Sequence, residues 1–379
     1  MLKRGDGLLL ALALGLTFIG FLMVYSAGSF SAFIHYSDSL YYLKQQIVRI
    51  VIGLAALFVA TKVSLRWLEE HAHWLLGIAC TLLLLVIVMG HMSNGATRWL
   101  RVGFMSLQPT DLARLAAVIF MAAWLKRRPI ESLGFWKGTA LPLVMIGVVC
   151  GLILKQPNLS SAAMLFLTGF GMLMLAGAPW RHLAIPLGAG AVGAIGAVLT
   201  HPYMMTRVKT FTGFIFGGHL DARGAGWQLD QSLIAIGSGG VLGRGLGGGM
   251  QKLLYLPEAH TDFIFSIIAE ELGLWGVTLL FAIMAVFLLR GLRAAARASD
   301  PFASLLAGGL TLQIGLYALA NLAVATGLAP TTGLPFPFVS YGGSALMVNL
   351  AAVGIIYRVS AMNDQEDAWV RHRWSREAA

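Results

Sequence analysis

Charge is what this chain has least of. Asp, Glu, Lys and Arg together make up 12% of its 379 residues, about half of the roughly 25% carried by an ordinary soluble domain. Cysteine is nearly absent as well. Cys80 and Cys150 both lie inside apolar runs, where free cysteine behaves as a small hydrophobe. A disulfide framework and a cysteine zinc site are therefore excluded. Acidic residues number 17 against 27 basic ones, for a net charge of +10, yet the Lys and Arg sit in short clusters beside apolar runs. That is the pattern of topology signals, and no basic stripe interleaved with aromatics is present to bind nucleic acid. No G-x-x-x-x-G-K-[ST] loop occurs either, so nothing in the chain suggests that it is powered by a nucleotide.

In place of charge there is apolar length: 58% of the residues are hydrophobic and the mean hydropathy is +0.76. A membrane span needs ~20 mostly apolar residues. The chain is expected to be one all-α polytopic membrane domain over residues 1–379, with ten transmembrane helices. Their expected positions are 8–27, 44–61, 72–90, 109–125, 139–154, 161–177, 182–199, 268–290, 302–325 and 341–359. Lys3 and Arg4 precede the first run as in a secretory signal. That run is long for a cleavable segment, however, and no small-x-small site closes it, so the first span is expected to stay.

Positive residues favour the cytoplasmic side. The pair Lys3 and Arg4, the pair Lys62 and Arg66, the group 126–137, Arg181, the group 290–297 and the tail beyond 358 fall on alternate connections. Both termini are thus expected in the cytoplasm, with 360–379 as a cytoplasmic tail. The long connection of residues 200–267 between the seventh and eighth spans is then extracytoplasmic. Trp227, Leu233, Ile234, Ile236 and residues 253–256 make it too apolar for disorder. An ordered loop with amphipathic or re-entrant pieces is expected.

Four segments on that side carry chemistry. In residues 255–274, Glu258, His260, Thr261 and Asp262 stand just before an apolar helix. Ionisable groups at membrane depth are by default functional, and a carboxylate in a partly dry site has its pKa raised toward neutrality, which suits a general base. Thr261 or Asp262 could equally cap the next helix, and spacing alone leaves both readings open. Residues 226–245 combine Gln231 and Ser232 with many glycines, and Arg244 and Lys252 add charge where backbone N–H groups could approach an anion. Residues 243–248 fit G-x-G-x-x-G, but no strand precedes them and no βαβ unit surrounds them, so a dinucleotide site is rejected and no organic cofactor is expected. In residues 95–114, Arg98 and Arg101 are placed to meet a phosphate, and Asp111 with Arg114 to form an ion pair across one helical turn. The Pro- and Gly-rich stretch 327–344 reads as a re-entrant loop closing a cavity roof, with Gln313 and Asn321 expected to hydrogen-bond its irregular backbone.

Taken in order, Met23 to Ala27, Arg98-Trp99, Gln108-Pro109, Gln156-Pro157, Gln231-Ser232, Leu256 to Gly273 and Pro337 to Ser344 resemble the SEDS family, which includes FtsW, RodA and SpoVE. The resemblance covers nearly the whole chain. In the run 251–262 it leans to the FtsW branch, since RodA commonly has Arg where Ala259 stands. It implies a bacterial inner-membrane glycosyltransferase that joins lipid II into peptidoglycan, with Asp262 as the catalytic carboxylate and as a possible ligand of a divalent cation, Mg or Mn. Arg98, Arg101, Arg207, Lys209, Arg244 and Lys252 are then candidates to steady the departing pyrophosphate. Gln231, Ser232, Glu258, His260 and Thr261 complete the expected substrate-binding set. The expected partners are lipid II, membrane lipids, a class B penicillin-binding protein that crosslinks the new strand, and other division or elongation membrane proteins. The family usually has Gln-Pro-Asp where Gln156-Pro157-Asn158 stands, which argues against an acid or base at Asn158. A lipid II flippase and a divisome scaffold are the competing readings. The acidic candidates gather at one face, whereas a coupled transporter needs ionisable groups along a path through the bilayer.

Overall fold

The computed structural model describes residues 5–89, 91–93, 96–102, 105–126, 134–216 and 224–377. Its helices are α1 (Gly7–Tyr36), α2 (Tyr41–Lys62), α3 (Leu65–Glu70), α4 (Ala72–Met89), α5 (Pro109–Lys126), α6 (Leu141–Leu154, entered through a π turn at Trp136–Ala140), α7 (Leu159–Leu175), α8 (Trp180–Thr200), α9 (Pro202–Ile215), α10 (Ala225–Gly239), α11 (Ile264–Arg297), α12 (Pro301–Ala325) and α13 (Gly343–Glu377). Eight of the described helices are long and apolar enough to cross a membrane. The protein is a multi-pass helical membrane protein. Two expected spans, α5 and α7, fall outside those eight. α5 carries Asp111, Arg114 and Lys126, and α7 has only 17 residues.

α12 is the centre of the bundle, 78% buried along its apolar window, and it packs on α5, α7, α11 and α13. At one end the chain termini and three connections are tied together by charge. Arg290 reaches Asp6 at 2.6 Å, the Asp6 backbone N–H donates to Ser360 Oγ at 2.9 Å, and Lys126 bridges Glu69 and Asp300, both at 2.9 Å. These are the connections that the charge pattern assigns to a single side. At the other end the turn before α11 with Asp262, the extended segment 96–102 with Arg98 and helix α9 with Arg207 come together.

Two expectations need correction. The chain is not wholly helical, because residues 91–107 form a three-stranded antiparallel sheet: β1 (His91–Ser93), β2 (Ala96–Val102) and β3 (Met105–Leu107). The eighth span was expected at 268–290, whereas the helix begins at Ile264 and is interrupted at Gly273, whose φ of 63° and ψ of −162° are not helical. A Cβ at Gly273 would lie 2.3 Å from the backbone nitrogen of Gly243, so only glycine lets the two segments touch.

The long connection is ordered where it is described, holding α9, α10 and a glycine-rich turn segment. That segment closes the break in α11. Arg244 and Gly245 donate backbone N–H groups to the Glu270 and Glu271 carbonyls, and Leu274 donates to Gly240. Helix-end groups left orphaned by the interruption are satisfied in this way.

Candidate active site

α11 starts only after Phe263, and no side chain among the described residues caps it. Asp262 is therefore not spent on the helix terminus. The turn before it winds around Glu258, which has a left-handed φ of 56° and whose carbonyl accepts the N–H groups of Thr261, Asp262 and Phe263. Strain of this kind in a non-glycine residue persists where neighbours enforce it. Here Thr261 Oγ1 also donates to Glu258 Oε2 at 2.8 Å, so the Glu258 carboxylate is oriented as well.

The Pro-Gly segment 327–342 is stitched to this turn. Asn321 Nδ2 donates to the carbonyls of both Asp262 and Leu334 at 2.8 Å. Ser340 Oγ donates to the Thr261 carbonyl at 2.6 Å, and the Tyr341 N–H donates to the His260 carbonyl at 2.9 Å. Asn321 thus holds the irregular backbone as expected, whereas Gln313 does not and bonds the Arg114 carbonyl instead. The expected ion pair is present as well: Asp111 faces Arg114 at 3.5 Å and accepts from Ser344 at 2.5 Å.

Two guanidiniums act on Asp262. Arg207 on α9 donates to the Thr331 carbonyl at 2.6 Å, and Arg98 on β2 donates to the carbonyls of Gln156 and Pro157. The Asp262 carboxyl is pushed up to about 7, first by desolvation and then by repulsion from Glu258, while Arg207 and Arg98 pull it back down. A carboxyl poised near neutrality within reach of two cations can take a proton and then tolerate negative charge nearby. Gly333 borders it, since a Cβ there would lie 3.6 Å from Asp262 Oδ2. His260 moves the opposite way, down to about 4, because burial disfavours its cation more strongly than Glu258 favours it. It is a neutral ring packed against Tyr42 and Tyr341.

Other expected site residues lie elsewhere. Lys252 is buried and paired with Glu271 at 2.6 Å and with Ser26 at 3.0 Å. Arg244 leans on Glu270 and the Ser238 carbonyl. Ser232 is buried between Ser266 Oγ and the Ala325 carbonyl, and Gln231 is buried on the same helix. Three N–H groups in and just after the glycine-rich segment, those of Gly247, Met250 and Gln251, donate to the carboxylates of Glu270 and Glu271. Lys209 is exposed on α9. The side chain of Arg101 lies outside the described residues.

Reasoning from residue spacing missed Thr331 and Thr332, whose buried hydroxyls have no partner among the described residues beside Arg207 and Gly333. It also missed Tyr42, Arg49 and Tyr341. No group of three or more His, Cys, Asp or Glu residues able to hold a metal occurs among the described residues. Asp262 and Glu258, which act on each other electrostatically, would offer a hard cation two carboxylates and leave its other positions to phosphate oxygens and water, as Mg²⁺ is commonly bound. Away from this cluster, an apolar groove of about 700 Å³ runs between α6, α7 and α8, lined by residues such as Phe135, Trp136, Phe166, Pro186 and Gly190.

A polytopic helical membrane protein that gathers one perturbed carboxylate and two arginines at one end of its bundle has the ionisable groups of a membrane enzyme. Comparison with known proteins makes the assignment specific: the chain belongs to the FtsW/RodA/SpoVE family, described as "Cell cycle protein", which it matches over residues 6–365. It is 39% identical over 366 residues to the probable peptidoglycan glycosyltransferase FtsW of Geobacter metallireducens, covering 95% of each chain. It is likewise 39% identical to the protein of the same name from Methylococcus capsulatus, covering 93% of this chain and 89% of that one. Among solved structures it resembles the rod shape determining protein RodA of Thermus thermophilus, at 29% identity and a TM-score of 0.69, over 94% of this chain and 96% of that one. It also resembles a chain solved in work on the structural coordination of polymerization and crosslinking by a peptidoglycan synthase complex. That match has 30% identity and a TM-score of 0.77, over 95% of this chain and 98% of the other.

Proposed function

We propose that this protein is a peptidoglycan glycosyltransferase of the bacterial inner membrane that polymerises lipid II at the outer face, with Asp262 as its general base. The observation that carries the proposal is that Glu258, Arg207 and Arg98, from three separate parts of the chain, all act on Asp262, whose carboxyl desolvation pushes up to about 7. In the reaction, the 4-hydroxyl of the acceptor sugar attacks the anomeric carbon of the donor from the face opposite its diphosphate. The new C–O bond forms as the anomeric C–O bond to the diphosphate breaks, the hydroxyl proton passes to Asp262, and the configuration inverts. Arg98 and Arg207 are placed to meet the charge that develops on the leaving diphosphate, where preorganised donors are worth most. Thr331 and Thr332 supply unpaired hydroxyls for sugar or phosphate oxygens. In the alternative role, Asp262 with Glu258 would hold a Mg²⁺ or Mn²⁺ ion that neutralises diphosphate charge, and Asp262 would then orient the acceptor hydroxyl instead of taking its proton.

In this reading α5 and α7 cross the bilayer with the other eight, giving ten spans and cytoplasmic termini. The charges of α5 are compatible with a span because Asp111 and Arg114 pair inside the bundle. The groove between α6, α7 and α8 suits an isoprenoid tail, which needs apolar walls and no polar partner. The partner is a class B penicillin-binding protein, and the exposed apolar face of α11, with Trp275, Leu279 and Leu289, is the surface on which its membrane helix would lie.

Reconstitution of the purified chain and partner with lipid II tests the reading. Glycan polymer is expected from the wild type and none from Asp262→Ala. Polymer from Asp262→Ala at the wild-type rate refutes the mechanism, and lipid II crossing vesicles without polymerising would favour transport instead.

A further inference from the structure

A reaction between two lipid-linked sugars must hold two diphosphates, one leaving the donor and one staying on the acceptor. The leaving diphosphate is bonded to the attacked carbon and so lies beside the base. The retained one hangs from the far end of the acceptor's disaccharide. Arg98 and Arg207, whose charges act on Asp262, serve the first position.

A third guanidinium has no role in that account. Arg49 on α2 lies over the Tyr341 ring, 4.0 Å from its centroid, and its charge acts on His260. Its Nη1 is buried without a hydrogen-bond partner among the described residues. Gln46, on the same face of α2 by its i, i+3 spacing, is 0% exposed, and neither of its amide atoms is paired among the described residues. Tyr42, one turn earlier, brings this face to the site, with its ring 4.2 Å from that of His260. Eight residues at 1.5 Å rise put Arg49 roughly 12 Å below the N-terminal end of α2. A helical side chain leans toward that end, which is the end nearest His260. Buried polar groups in a native protein are paired, and exceptions call for a missing partner. A charge at membrane depth calls for one even more strongly.

We propose that Gln46 and Arg49 form a second diphosphate site, which holds the retained diphosphate of the acceptor while Arg98 and Arg207 meet the leaving one. The identity of the ligand rests on the polymerase reading above. The site itself rests on the Gln46 amide and on Arg49 Nη1, both unpaired among the described residues, while Tyr341 engages the rest of the Arg49 guanidinium.

Binding of farnesyl diphosphate to the purified full-length chain in detergent, followed by calorimetry, tests this without requiring turnover. The wild type is expected to take two equivalents. Gln46→Leu with Arg49→Gln should take one, and Arg98→Gln with Arg207→Gln should retain the other. If Arg49→Gln lowers the melting temperature, Arg49→Lys keeps a cation near Tyr341 and is expected to weaken one of the two binding events several-fold by losing the planar fork. One equivalent in the wild type, or two unchanged equivalents in Gln46→Leu and Arg49→Lys, overturns the proposal. Displacement by equimolar phosphatidylglycerol does so as well, because it marks a pocket for bulk lipid headgroups. In the polymerisation assay Arg49→Lys should raise the KM for lipid II about tenfold and change kcat less. If the wild type makes no polymer yet binds two equivalents, the polymerase reading fails and the two-site pocket stands.

Discussion

Asp262→Asn separates catalysis from packing, because the amide keeps the shape of the carboxyl and loses its basicity. With the carboxyl at about 7, the ionised fraction climbs from about 3% at pH 5.5 to about 97% at pH 8.5, so kcat/KM of the wild type should rise about 30-fold across that range. General-base removal typically costs 10²–10⁴-fold, so the Asn protein should retain about 1% of the wild-type rate or less at pH 8 and show no rise with pH. Stability moves the other way. The folded-state pKa lies above the ordinary carboxylate value of 3.8, so the folded protein binds this proton more tightly than the unfolded chain. Wild-type stability from this group is complete below pH 3.8 and is lost as the pH rises to about 7. Three pKa units correspond to a ceiling of about 4 kcal/mol, reduced because Asp262 is partly open to solvent. Asn does not titrate, so the variant should melt at or above the wild-type temperature at pH 8 and lose that advantage near pH 4. The assays are initial-rate polymerisation of lipid II across pH and melting of the purified protein in detergent. An Asn variant within threefold of wild-type activity, a flat wild-type profile, or a variant that melts well below wild type at pH 8 each refutes the reasoning.

Removing the guanidinium in Arg207→Ala takes away a charge that lowers the Asp262 pKa, so the pH–rate profile should shift to higher pH as well as fall in amplitude; an unshifted midpoint contradicts the proximity. Glu271→Ala leaves Lys252 and Ser26 buried without their partner and should cost about 3–5 kcal/mol, read as a loss of folded protein in thermal melts. Gly243→Ala places a Cβ 2.2 Å from the Glu271 carbonyl oxygen at a φ of +76°, so it should destabilise the α11 break far more than alanine at Gly237, whose Cβ meets nothing within 4 Å among the described residues. His260→Phe retains a ring between Tyr42 and Tyr341 and should keep the alkaline limb of the pH profile, because the imidazole is already neutral above about 4; loss of that limb would make His260 a proton carrier.

Some of this was legible from residues alone, and for one physical reason: membrane insertion is a local property. Each apolar run seeks lipid whatever the rest of the chain does, and each Lys or Arg beside it biases one connection. The helical bundle, the pairing of Asp111 with Arg114 and the candidacy of Asp262 could be read from single windows of sequence. The broken start of α11, the burial of Lys252 against Glu271 and the meeting of Arg98, Arg207 and Asp262 could not. These residues lie far apart in the chain, and spacing cannot say which carboxylate takes which cation. Arg244 and Lys252 looked as available as Arg98 and Arg207 until packing gave the first two internal acidic partners and left the second two acting on Asp262. Lipid and charge decided where each segment lies. Which carboxylate was left dry beside which cations was decided by tertiary packing, because desolvation depends on what surrounds a group in space.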